Sequence, residues 1–325
     1  MLKIAVVGCG KIGEIRAKNI LSKDRILGFY DVDIDKSKEL QKSFKNSVIY
    51  ESIDDILKSN VNTVFIATIH SELFKIASKF IRAGINILIE KPASISTKEI
   101  KELIALQKRS KSIIHVGFNH RFHKSVIKAK KIIDSGHIGK TMFLRARYGH
   151  GGRVGYEKEW RANKKLSGGG ELIDQGSHLI DLSRFFLGEF AKVYGICKNF
   201  FWNMNVEDNA FLTLETKTGL VAHLHASCTE WKNKFNVEIY GEKGKIELDG
   251  LGKSYGTEKI ILYKMLPQMG PPKTYSWEFP MEDDSWLIQY KEFRRNILHK
   301  SESLGLKDAY ANIDIIEKVY KDYYK

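Results

Sequence analysis

The apolar positions of this chain follow two rhythms in succession. Up to about residue 120, short apolar runs alternate with stretches of helical spacing. The runs at 3–7, 26–30, 61–67, 85–89 and 113–116 predict strands buried on both faces, as in a parallel sheet. Between them, 14–21, 52–58, 72–83 and 96–108 predict helices, the last opened by Ser96 as N-cap with Glu99 at the capping-box position. Strands alternating with helices predict a doubly wound parallel sheet, a Rossmann domain over 1–121. A basic helix at 121–135 and a strand at 141–148 follow, then a glycine-rich loop and a helix running through Phe186 to a stop at Gly188. Beyond it, apolar and polar residues alternate at 193–202, 208–215, 219–230, 235–240, 245–248, 259–264 and 274–279. That pattern predicts a large, mostly antiparallel open sheet, so 122–325 reads as an α+β domain closed by helices at 285–299 and 308–324.

Three stretches carry chemistry. The first is Gly8-Cys9-Gly10-Lys11-Ile12-Gly13, set between a strand and a helix. In that context G-x-G-x-x-G predicts a dinucleotide site: one glycine for the turn, one for close approach of a pyrophosphate, one for helix–strand packing. The helix N-terminus adds free N–H groups facing the phosphates. Asp31 ends the second strand 18 residues after Gly13, where a carboxylate bonds the adenosine ribose and repels a 2′-phosphate. NAD is therefore expected over NADP.

The second stretch is Glu90-Lys91-Pro92. Pro92 is the only proline before residue 267 and must end its strand, having no N–H for the ladder. The residue before a proline is extended, which aims Lys91 out of the carboxyl edge of the sheet, where such folds bind ligands. Taken alone, the tripeptide also suits a solvated ion pair in a surface turn.

The third is Gly168-Gly169-Gly170-Glu171-Leu172-Ile173-Asp174-Gln175-Gly176-Ser177-His178. The glycines are expected to let backbone approach a ligand. Asp174 and His178 are four apart and share one helical face. A carboxylate beside an imidazole suits proton transfer near neutral pH.

Composition narrows the classes. With 43% apolar and 28% charged residues the chain is an ordinary folded protein. The formal net charge of +14 comes from dispersed lysines, without any nucleic-acid-binding pattern, so an anionic small molecule is expected and nucleic acid is not. Cys9, Cys197 and Cys228 make no disulfide framework and suit a reducing cytoplasm. No run is long enough to span a bilayer, and the early start of the first strand leaves no room for a signal peptide. His223 and His225 share a strand face but lack a third ligand, so they read as part of a polar sheet face, and no metal is expected.

The glycine fingerprint, Glu90-Lys91-Pro92, Gly117-x-Asn119-x-Arg121-Phe122 and the glycine triplet with Asp174 and His178 resemble the glucose–fructose oxidoreductase, inositol dehydrogenase and rhizopine-catabolism (Gfo/Idh/MocA) family over essentially the whole chain. One loop departs: where the family often has Thr-Pro and a later His, this chain has Thr68-Ile69 and Leu73. The resemblance implies an NAD-dependent oxidoreductase acting on a secondary alcohol, with Lys91, Asp174 and His178 as the catalytic set. It places Thr68, His70, Glu90, Lys91, Asn119, Trp160 and Arg161 with the cofactor, and a homodimer or homotetramer through the second-domain sheet. Arg121, Arg153 and Tyr156 are expected at the substrate beside the catalytic set. Arg153, Tyr156, Lys158, Arg161 and the positive charge add weight to a phosphorylated or nucleotide-linked sugar. The expected centre brings the Lys91 amine and the His178 imidazole together over the nicotinamide. Alternatives are a polyol or inositol dehydrogenase, an imine, enone or bilin-type reductase, and a non-catalytic NAD-binding regulator.

Overall fold

The computed structural model describes residues 1–324. They divide into two units, Met1–Phe118 with Trp286–Asp314, and Asn119–Ser285 with the chain from Ile315 onward. The outward crossing falls at Phe118/Asn119, and a late segment returns to the first unit.

In the first unit β1 (Lys3–Val7), β2 (Arg25–Tyr30), β3 (Val48–Ile49), β4 (Thr63–Ile66), β5 (Asn86–Ile89) and β6 (Ile114–Val116) form one sheet in the order β3-β2-β1-β4-β5-β6. All its pairs are parallel. The order reverses between β1 and β4, the switch point at which such sheets open a crevice. The connecting helices are α1 (Lys11–Lys18), α2 (Ile34–Gln41), α3 (Ile53–Lys58), α4 (His70–Arg82) and α5 (Thr97–Gln107). The sequence pattern missed α2 and β3. Only Ser37 and Leu40 of α2 are buried and β3 is two residues long, so neither carries an apolar rhythm. Ser96 caps α5 as expected, accepting from the Glu99 N–H at 3.3 Å. The Glu99 carboxylate, however, takes the Ser94 hydroxyl instead of closing the box.

In the second unit α6 (Lys124–Asp134) follows a short 3₁₀ turn, Asn119–Phe122, so the basic helix starts later than expected. Then come β7 (Thr141–Gly149), α7 (Lys164–Ser167) and α8 (Ser177–Leu187). The remaining strands are β8 (Phe190–Lys198), β9 (Asn209–Thr216), β10 (Val221–Ser227), β11 (Lys234–Gly241), β12 (Gly244–Asp249), β13 (Glu258–Lys264) and β14 (Lys273–Phe279). They form an eight-stranded sheet with β7, ordered β14-β13-β12-β11-β7-β10-β9-β8, antiparallel except where β7 and β10 pair in parallel. Leu144, Leu212, Leu224, Val237, Ile246 and Ile260 line its buried face, against which α6 and α8 pack. A row of opposed residues runs across the other face: Tyr194, Thr213, His223, Arg145, Glu238 and Glu247.

Two helices end the chain, α9 (Ser285–His299) and α10 (Leu306–Tyr323). Most of α9 belongs to the first unit, where Tyr290 and Arg294 bond Asp24 at 2.6 and 2.8 Å. Among the described residues no helix is long and apolar enough to cross a membrane.

Candidate functional site

At the carboxyl edge of the parallel sheet, β1 turns through Gly8 into α1. Gly8 has φ of 91°, and a Cβ there would meet the Ala67 carbonyl. A Cβ on Gly13 would strike the Gly8 carbonyl. Turn and packing therefore account for those two glycines. Gly10 differs, because a Cβ on it would meet nothing within 4 Å. It stands at the N-cap of α1, whose first N–H groups have no side-chain cap. Open space beside uncapped N–H groups is what a pyrophosphate requires.

Asp31 accepts the Cys9 N–H at 2.7 Å through one oxygen and the Asp33 N–H at 2.9 Å through the other. Each oxygen of a carboxylate keeps a further lone pair for a ribose hydroxyl. The residues present fit a dinucleotide, and Lys11 and Ile12 begin the helix that would face it.

Beyond β4, Thr68 is half-buried and His70 is buried as the first residue of α4. Beyond β5, the Glu90 side chain has a partner of its own within the fold. Its carboxylate lies 2.6 Å from the Arg16 guanidinium, both groups buried. Arg16 also donates to Gln289 at 2.6 Å and lies 4.4 Å from the Trp286 ring centre. Gly117 makes room for this pair, since a Cβ there would come within 2.7 Å of Glu90 Oε2. Glu90 thus braces α1, and with it the glycine turn, against the end of β5. Lys91 follows, half-buried, joined to Pro92 by a cis peptide; the Ala93 N–H closes the turn on the Glu90 carbonyl at 3.0 Å.

In the second unit α7 stops at Gly168, which takes φ of 85°. The other two glycines do not open onto a ligand. A Cβ on Gly169 would strike the Tyr320 hydroxyl, and one on Gly170 the Glu207 carbonyl. Glu207 explains the crowding. Wholly buried, it accepts the N–H groups of Gly170 and Leu172 at 3.1 and 3.0 Å and the hydroxyls of Tyr320 and Tyr324 at 2.6 and 3.1 Å. The triplet is needed for packing around that carboxyl.

The chain then makes one π-helical turn, Leu172–Gly176, before α8, where an unbroken α-helix was expected. Such turns recur at functional sites. Asp174 lies in the π turn and accepts from Arg161 Nε at 2.9 Å, while His178 lies in the first turn of α8. The guanidinium of Arg161 also covers Trp160, 4.6 Å from its ring centre. The buried His178 ring stacks on that of His120, centres 3.7 Å apart. His120 bonds the Asn119 side chain at 3.2 Å, Asn119 donates to Ser285 at 3.1 Å, and Tyr148 meets His120 edge-on at 5.2 Å.

Three residues expected at the substrate have side-chain partners within the fold. Arg121 forms a two-pronged pair with Asp181, at 2.8 and 2.6 Å, and Asp181 is wholly buried. Tyr156 is buried, its hydroxyl donating to Glu171 at 2.7 Å. Arg153 is exposed and held by Glu159 at 2.6 Å. His225 bonds Asn209 at 2.9 Å and stacks on Phe211, a sheet-face arrangement. Sequence reasoning missed His120, although it sits inside the Gly117–Phe122 block, and Glu171, although it directly follows the glycines. Burial first, and then the Asp174 charge, push the Glu171 acid up to about 8 against the Tyr156 hydroxyl bond.

Comparison with known proteins agrees with this construction. Residues 2–118 match the family described as "Oxidoreductase family, NAD-binding Rossmann fold", and residues 126–247 match "GFO/IDH/MocA C-terminal domain". The chain is similar to myo-inositol 2-dehydrogenase of Thermotoga maritima, 26% identical over 310 residues, covering 91% of this chain and 88% of that protein. It is also similar to levoglucosan dehydrogenase of Pseudarthrobacter phenanthrenivorans, 34% identical over 147 residues, or 44% of this chain and 37% of that protein. Among solved structures, a levoglucosan dehydrogenase with NADH and L-sorbose has the same fold, with a TM-score of 0.87, 20% identity and coverage of 99% and 97% of the two chains. GenD2 from gentamicin A biosynthesis with NAD gives 0.85, 22% identity, and 100% and 94%.

Proposed function

Because the chain belongs to the Gfo/Idh/MocA family of NAD-binding oxidoreductases, we propose that it oxidises one secondary alcohol of a sugar or cyclic polyol ring, using Lys91, Asp174 and His178. What supports this most is the placement of Asp174 and His178 one turn apart, with the carboxylate held by Arg161. Bound NAD supplies the nicotinamide that takes the hydride from the carbinol carbon. His178 takes the hydroxyl proton, since an imidazole titrates near neutral pH with little adjustment. Asp174, held by Arg161 at 2.9 Å, orients the alcohol through a hydrogen bond. The Lys91 amine stabilises the alkoxide as it develops. The α1 N-terminus and Gly10 would hold the pyrophosphate, and Asp31 would hold the adenosine ribose and disfavour a 2′-phosphate.

A neutral ring is favoured over a nucleotide-sugar, because Arg153 and Arg161 already have carboxylate partners. The relatives named for myo-inositol and levoglucosan act on rings of that kind. The buried free thiols of Cys9, Cys197 and Cys228 suit the reducing cytoplasm. The open face of the eight-stranded sheet is the proposed homo-oligomer contact.

The test is NADH formation across inositols, anhydrosugars, aldoses and nucleotide-sugars. Lys91→Ala and His178→Ala should each cut turnover by about 10²–10⁴-fold with NAD binding, followed by fluorescence, nearly intact. Near-normal turnover in either variant removes that residue from the chemistry. Tight NAD binding with no turnover on the whole panel favours a regulator.

A further inference from the structure

A second carboxyl group, unused by the mechanism above, lies three residues before Asp174. Glu171 is 1% exposed. One of its oxygens accepts the Tyr156 hydroxyl at 2.7 Å, with His150 Nε2 at 3.7 Å from the same atom. The other, Oε2, is buried with no N–H or O–H partner, the weakly donating thiol of Cys228 being the donor beside the carboxyl. An ionised carboxylate in this position would hold a charged oxygen away from water with only a weak thiol donor beside it, which is costly in a protein interior. A protonated acid places no charge there.

The surroundings point the same way. Tyr156 faces Glu171 from the loop after β7, His150 from the end of β7, and Cys228 from beyond β10, with the hydroxyls of Tyr148 and Tyr255 further off. Asp174 and Glu207 are both acids and add negative charge. His150 is the group here able to turn cationic, and burial, its largest influence, holds its pKa below the ordinary histidine value. Arg161 is engaged by Asp174 and Arg153 by Glu159. The negative charge of Asp174 favours a proton on Glu171, the drier of the two.

We infer that Glu171 is held as a neutral carboxylic acid at working pH, so that Asp174 carries the charge opposite Arg161, and that loss of the Glu171 proton sets the alkaline limit of the site. Glu171 is on this account a positioning residue, acting through Asp174. The part concerning turnover rests on the dehydrogenase reading; the protonation state does not.

Infrared difference spectroscopy of the full chain tests it, reading the C=O stretch of a protonated carboxylic acid. The wild type should show this band at neutral pH and lose it on alkaline titration, and Glu171→Gln, the neutral isostere, should lack it. Melting provides a second measurement. An acid whose folded pKa lies above its unfolded one binds a proton in the native state that the unfolded chain has released. Stability therefore falls as pH rises through that window. Wild type and Glu171→Gln should melt alike near about pH 5, and the variant should melt higher near about pH 9. If the glutamine variant fails to fold, Tyr156→Phe, which removes the bond favouring the ionised form, should move the band's disappearance to higher pH. With an active substrate in hand, Glu171→Gln should also lose the alkaline fall in kcat/KM. A wild type with no protonated-acid band at neutral pH, or melting curves that run parallel across the range, overturns the proposal. Absence of any turnover would instead count against the dehydrogenase, leaving the infrared and melting results to decide Glu171.

Discussion

Residue type indicates charge, and only the neighbours indicate where that charge is used. Arg121 reads in sequence as a basic residue near a ligand, and in the fold its guanidinium forms two bonds to a wholly buried Asp181. Removing one partner of such a pair strands the other. Arg121→Ala should therefore lower unfolding free energy by about 3–5 kcal/mol in denaturant titrations. Arg121→Met combined with Asp181→Leu should lose far less, since apolar replacement of a buried pair is often close to neutral. A raised KM with unchanged stability in Arg121→Ala would return this residue to the substrate. Glu90 and Tyr156 teach the same lesson. Both belong to stretches that the sequence singles out, and both are turned inward, onto Arg16 and Glu171. By contrast, the turn and packing at Gly8 and Gly13 were legible because they depend on backbone shape and local spacing, which the sequence carries directly.

Elements with a strong period were legible as well. Every strand of the parallel sheet except the two-residue β3 was anticipated, because strands buried on both faces must be continuously apolar. The π turn at Leu172–Gly176 was not, since one extra residue per turn leaves no mark in apolar spacing. Nor was the use of Gly169 and Gly170, whose missing side chains leave room for Tyr320 and Glu207. The return of α9 to the first unit depends on bonds between residues more than 250 positions apart, such as Tyr290 and Asp24. Burial alone would raise the Asp24 pKa, but the Leu2 N–H, the Tyr290 hydroxyl and Arg294 outweigh it and hold the carboxyl below its ordinary 3.8. A depressed carboxyl contributes stability that is present above its unfolded pKa and lost as pH falls through the folded one. Asp24→Asn should thus cost about 1–3 kcal/mol at neutral pH, with the gap to wild type closing in acid below the ordinary carboxylate range. Unfolding curves recorded down the acid series check this; a gap that stays constant would show that ionisation of Asp24 contributes nothing.

For the whole molecule, the face of the large sheet turned away from α6 and α8 is the proposed contact between copies of the chain. Tyr194 and Ile196 stand 60% exposed on its edge strand β8, in register with Thr213 and Phe211 on β9. An apolar edge of this kind is a contact surface or a liability. Ile196→Lys should lower the mass seen in sedimentation towards that of one chain while leaving the fold, followed by circular dichroism, unchanged. An unaltered mass would move the contact elsewhere. What the sequence determined by itself is what nearest neighbours along the chain can impose: the order and type of most elements, the phosphate-binding turn, the preference for NAD, and the identity of Lys91, Asp174 and His178 as candidates. What only the tertiary structure decided is the state of each polar group, because burial and pairing depend on residues far apart in the chain. Arg161 on Asp174, His120 on His178, and the dry carboxyl of Glu171 beside them are set by packing, and no local pattern encodes them.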